Sequence, residues 1–120
     1  MSLTAILNTT LDLVNQAKFA GVVGTDGLGI EMVFVDEATA YDLELAEIEL
    51  ASLAALATSA SSRIGTGLVR GLTVETDAFT FLALLIAPDY FAVLGVPVGA
   101  DVGQARGVLE QMVERMRAEL

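Results

Sequence analysis

The stretch from Phe19 to Val35, Phe-Ala-Gly-Val-Val-Gly-Thr-Asp-Gly-Leu-Gly-Ile-Glu-Met-Val-Phe-Val, constrains the fold more than any other. Two strand-like runs flank an Asp26-Gly27 pair that suits a two-residue type I′ hairpin turn, whose backbone twist matches that of paired strands. Folding about that pair sets Thr25 opposite Leu28, Val23 opposite Ile30, Gly21 opposite Met32 and Phe19 opposite Phe34. One face of the hairpin is then mostly apolar. The other pairs Val22 with Glu31 and Ala20 with Val33, and Gly24 meets Gly29 where the backbone bends or lies close to another element.

Helical periods bracket this hairpin. From Ser2 to about Gln16, Leu3, Ile6, Leu7, Leu11 and Val14 recur on one face, with Ser2 or Thr4 as the N-cap. Residues 36–40 read as a polar connection, and a long second helix is expected from Tyr41 or Asp42 to about Arg63, stopped by Gly65 and Gly67. Acids at Asp42, Glu44, Glu47 and Glu49 and the cation Arg63 at the far end suit the helix dipole. Leu43, Ala46, Leu50, Leu53, Ala54 and Ala57 can face a sheet. Ala51, Ala55, Thr58 and Ser62 form a second stripe of small side chains, explained equally by close helix packing and by the helix propensity of alanine.

Strand patterns fill the second half. Leu68, Arg70, Leu72 and Val74 alternate with Val69, Gly71, Thr73 and Glu75, a mixed polarity that predicts an edge strand. After a turn near Thr76-Asp77, residues 79–86 and 90–96 are apolar at almost every position and are joined by Pro88-Asp89, so both should be central and covered on both faces. Asp101 with Gln104 makes a capping box for a last helix, whose buried stripe is Val102, Ala105, Leu109, Met112, Val113 and Met116. The order is α-β-β-α-β-β-β-α. Short hairpins imply an antiparallel sheet. A five-stranded antiparallel sheet, apolar on both faces, needs the long helix on one face and the two terminal helices on the other: an α/β (α+β) sandwich in a single domain, 1–120.

A hydrophobic fraction of 54% is high for so small a chain, and part of that surface is expected to rest against another subunit. Asp77 and Asp89 bracket the longest apolar run, too short for a membrane span, and the Met-Ser-Leu-Thr start lacks a basic signal region, so a cytoplasmic location is expected. A net charge of −10, with Arg63, Arg70, Arg106, Arg115 and Arg117 spread over three elements, argues against nucleic-acid binding. Without cysteine or histidine, thiolate and imidazole chemistry are excluded. The glycines from Gly24 to Gly29 match no phosphate loop. Asp26 with Glu31, or Glu44 with Glu47 and Glu49, could pair as carboxylates but have no basic or nucleophilic companion, and no histidine or lysine stands near Ser59, Ser61 and Ser62 to activate them. No catalytic, metal or cofactor site is expected, and the chain is read as a non-enzyme.

The segment Gly21 to Glu31, the alanine-rich helix after it, the strand Leu68 to Thr76 and the stretch Ala100 to Arg106 together resemble the Roadblock/dynein light chain domain, in particular its small bacterial, MglB-like members. The resemblance spans nearly the whole chain. Val102, where that family commonly has asparagine, and Gly-Ile-Glu after the turn are departures that leave the fold unaffected. The resemblance implies a homodimer with second helices side by side and third strands paired, its interface drawn from Ala51, Ala55, Thr58, Ser62, Leu68, Arg70 and Leu72. It also implies a platform for a Ras-like small GTPase, bound through Glu44, Glu47 and Ile48, and in its stronger form an activator of GTP hydrolysis whose chemistry belongs to the GTPase. Arg63 or Arg70 would be the candidates for an arginine finger. Profilin-like and longin-like domains share related layering, and the contrasting expectation is a small-molecule sensor or carrier with an apolar pocket between the last helix and the sheet.

Overall fold

Ser2 opens the first helix by accepting a hydrogen bond from the Ala5 N–H at 3.2 Å, and α1 runs Leu3–Leu13. The computed structural model describes residues 2–14, 17–35 and 43–119; the expected end of α1 at Gln16, the connection at 36–40 and a helix start at Tyr41 or Asp42 lie outside them. The further elements are β1 Phe19–Gly24, β2 Gly29–Phe34, α2 Leu43–Ile64, β3 Gly71–Glu75, β4 Phe79–Ala87, β5 Tyr90–Pro97 and α3 Val102–Arg117. The Asp101 carboxylate accepts from the Gln104 N–H at 3.0 Å, the cap expected for α3.

All strands pair antiparallel in the order β2-β1-β5-β4-β3, which puts β5 at the centre and leaves β3 and β2 as the two edges. On one face Ile6 and Leu7 of α1 and Ala105, Leu109, Met112, Val113 and Met116 of α3 cover Ala20, Val22, Leu82, Ala92, Leu94 and Val96. On the other Leu50, Ala51 and Ala54 of α2 cover Phe19, Val23, Phe81, Ala83, Phe91 and Val93. All five phenylalanines lie on this α2 side, Phe34 and Phe79 at its margin. Gly95 makes room for them: a Cβ there would stand 2.2 Å from the Phe19 ring. Phe19 in turn meets Phe79 edge to face at 5.6 Å between centroids, a favoured aromatic geometry.

Two local expectations are corrected. The β1–β2 register holds from Phe19–Phe34 to Val22–Glu31 but then shifts, with Val23 opposite Gly29 and Ile30 as the extra residue of a bulge. The turn is therefore not the two-residue form. Gly27 donates to the Gly24 carbonyl at 3.2 Å, takes φ of 90°, and Gly24 N–H reaches the Leu28 carbonyl at 2.7 Å, so Thr25, Asp26 and Gly27 all belong to the loop. The Asp26 carboxylate accepts from Leu28 N–H at 3.1 Å, a local bond that stabilises the longer loop. Secondly, β3 begins at Gly71, so Leu68 and Arg70 precede the strand. Gly65 and Gly67 at φ of 77° and 85°, and the Ser61 hydroxyl bonded to the Gly67 carbonyl at 2.6 Å, hold the preceding chain out of the ladder. Val69 also packs on the same cluster as Leu72 and Val74, which breaks the strict alternation expected from Leu68 onward.

Candidate functional site

The α2 helix packs across β1 and β2 and leaves the β3–β4 half of its sheet face largely uncovered. Leu72, Val74 and Phe79 are accordingly only half-buried. Beside the helix runs an open groove of about 390 Å3 lined by Leu53, Leu56, Phe79 and Phe81 with Ala46, Leu50, Ser52 and Glu49 at its rim. Its lining is apolar, and Leu56 stands 61% exposed over it. An apolar trough between a helix and a bare strand face lacks its covering layer.

The outward side of α2 is apolar as well. Leu45, Ile48 and Leu56 are 53%, 52% and 61% exposed and follow one another at helical spacing through Ser52, whose hydroxyl donates to the Ile48 carbonyl at 2.9 Å. Glu44 is exposed one turn before Ile48, and Glu49 is exposed beside it. Glu47 is half-buried because its side chain lies over Gly29 of β2, where a Cβ would stand 2.5 Å from the carboxylate. The small-residue stripe divides by depth. Ala51 is 0% exposed in the protomer's own core, so it has no surface to offer a partner; Ala55 and Thr58 are half-buried and Ser62 is exposed.

β3 borders this surface with an open edge. Leu85 N–H donates to the Arg70 carbonyl and Thr76 N–H to the Phe79 carbonyl, both at 2.9 Å. In the register that pairs Leu72 with Ala83 and Val74 with Phe81, this fixes the even-numbered positions as those bonded to β4. The N–H and C=O groups of Gly71, Thr73 and Glu75 therefore point out of the sheet. An edge of this kind is a template for another strand.

The groups weighed for chemistry have structural employment. Asp26 braces the hairpin loop, the Glu31 carboxylate accepts from the Thr4 hydroxyl, and Ser61 bonds to Thr66 and Gly67 beyond the end of α2. Among the described residues no three carboxylates converge as a metal site. Arg63 is exposed at the end of α2, whereas Arg70 lines a different groove, beside α3. The interface between α3 and the sheet is filled by Leu109, Met112 and Met116, each no more than 1% exposed, so the space beside α3 is an open groove and not an enclosed cavity. Sequence reasoning did not single out Leu45, Leu56 and Phe79 as surface or interface residues; the spacing of Leu45, Ile48 and Leu56 was the available signal.

No protein-family model matches the chain, and no curated protein does. Among solved structures, MglC from Myxococcus xanthus is 31% identical over 100% of both chains, with a TM-score of 0.72. A Roadblock/LC7 domain from Streptomyces avermitilis is 20% identical over 99% of this chain and 98% of that one, with a TM-score of 0.77. The gliding protein MglB from Thermus thermophilus superposes at a TM-score of 0.79 with 14% identity, over 97% of this chain and 86% of its own.

Proposed function

The chain belongs to the bacterial Roadblock/LC7 family, and from that premise we propose that it is a non-catalytic, homodimeric regulator or scaffold of a Ras-like small GTPase in the cytoplasm. The observation that carries the reading is the half-covered sheet face beside the open β3 edge. A second copy related by a two-fold axis, its β3 antiparallel to the first, extends the sheet and brings its α2 over the bare strands. Leu56, Phe79, Phe81, Leu72 and Val74 then meet an apolar partner, flanked by Ala55, Thr58 and Ser62. Leu68, 55% exposed, and Arg70 lie just before the pairing strand.

Paired in this way, the two α2 helices present Glu44, Leu45 and Ile48 outward, with Glu47 behind them. An apolar centre with acidic neighbours is the composition of a recognition surface. GTPase activation on this platform acts by ordering the switch loops of the GTPase, which carries its own hydrolytic groups. Light scattering after size exclusion at tens of micromolar tests the assembly: a particle of twice 12.5 kDa is expected, and a monomer overturns the reading.

A further inference from the structure

On the opposite side of the sheet from α2, a groove of about 670 Å3 lies between α3 and the β3–β4 edge. Its floor includes Leu84 and Val113, and its walls carry Arg70, Arg106 and Arg117 with Glu110 and Glu114. Three of the six basic residues of a chain with net charge −10 thus gather at one place. We propose that this groove docks an acidic segment of a partner protein, its carboxylates taken by Arg70 and Arg106 and an apolar side chain seated on Leu84.

The pairing within the groove leaves those two arginines available. Arg117 is committed, donating Nε to the Ile86 carbonyl at 3.0 Å and Nη1 to Glu114 at 2.6 Å. Ile86 is the extra residue of a bulge in β4, which frees that carbonyl for the contact. Arg106 has only a 3.6 Å pair with Glu110, both side chains half or more exposed, an interaction that a better-placed carboxylate displaces. It reaches across the strand to Gly71, whose missing Cβ would stand 3.6 Å from Nη2. Arg70 is exposed at the mouth of the groove and, among the described residues, is the cation there that no carboxylate pairs.

Gly107 is the second sign. It sits inside α3, where glycine weakens a helix, yet a Cβ on it would meet nothing within 4 Å, so nothing in the protomer's described residues requires the small residue. It lines the groove, and its absent side chain lets another backbone approach the helix. From Arg106 to Arg117 the wall extends for roughly 16 Å at the helical rise, room for about five extended residues. The groove faces away from α2, so an acidic segment and a GTPase can be held at once.

Fluorescence anisotropy of a fluorescein-labelled Glu-Glu-Leu-Leu-Glu-Glu peptide, with the full chain at low salt, tests the proposal. Saturable binding is expected that weakens at least tenfold in Arg70→Glu and in Arg106→Glu and strengthens severalfold in Glu110→Gln. Arg115→Glu makes the same change in net charge off the groove and is expected to leave the affinity unchanged, which separates local recognition from overall repulsion. Gly107→Leu is expected to abolish binding while raising the melting temperature, so its loss cannot be read as unfolding. No saturable binding up to millimolar protein, equal binding of a Lys-for-Glu peptide, indifference to both arginine reversals, or capture of anionic vesicles in place of the peptide would overturn it. None of these outcomes depends on whether a GTPase binds α2.

Discussion

Thr73→Pro separates the edge of the sheet from its interior. Thr73 points its N–H and C=O away from β4, so proline there removes no bond of the protomer's own ladder, whereas Leu72→Pro removes one made to Ala83. In the proposed pair, with the two-fold axis at Thr73, this residue and its counterpart exchange both main-chain bonds. Proline takes away both donors and leaves both carbonyls unanswered. At about 1 kcal/mol net per hydrogen bond, within a range of roughly 0.5 to 1.5, the loss is about 1–3 kcal/mol of association free energy. That corresponds to roughly 5- to 150-fold in the dissociation constant. Sedimentation velocity over a dilution series, from tens of micromolar to tens of nanomolar, reads it directly, with circular dichroism to establish that the protomer keeps its fold. Leu72→Pro should instead lower the melting temperature of the protomer itself. A folded Thr73→Pro variant with an unchanged dissociation constant refutes pairing through β3.

Four further substitutions follow from the same geometry. Leu56→Glu places a charge over the groove lined by Phe79 and Phe81; light scattering should report a monomer, while thermal stability of the exposed site changes by less than about 0.5 kcal/mol. Ile48→Asp and Glu44→Arg should each reduce capture of a GTP-loaded small GTPase from an adjacent gene at least tenfold in biolayer interferometry with the dimer intact, and undiminished capture would move the partner off α2. Gly95→Ala forces a methyl within 2.2 Å of the Phe19 ring; urea denaturation should register a loss of about 1–3 kcal/mol, the cost of overpacking a filled core, and an unchanged midpoint would mean the ring moves freely.

The layers were legible because they rest on periodicity. The apolar runs 79–86 and 90–96 are buried strands, the stripe from Val102 to Met116 is the inner face of α3, and Ser2 and Asp101 cap as their side chains allow. What was not legible depends on competition between nearly equal local solutions or on distance along the chain. Asp26-Gly27 fits a two-residue turn, but the Asp26 carboxylate bonded to Leu28 favours the three-residue loop and shifts the register at Ile30. Ala51 shares its stripe with Ser62, and only the angle at which α2 crosses the sheet decides that one is core and the other surface. The open groove beside α2 has the same origin, since periodicity says that a helix covers a sheet but not which strands. Arg70 and Arg106 share a groove through the packing of α3 beside β3, which a separation of thirty-six positions conceals.

Bulged at Ile30, the β2 rim is kinked and more strongly twisted, a shape that discourages lateral growth. β3 pairs with β4 through an unshifted register and offers the straighter rim. In the proposed pair two copies would consume that rim, leaving only the bulged β2 rims at the ends of the joined sheet. In the proposed assembly, growth of the sheet would therefore end at the pair, set by a single surplus residue in β2.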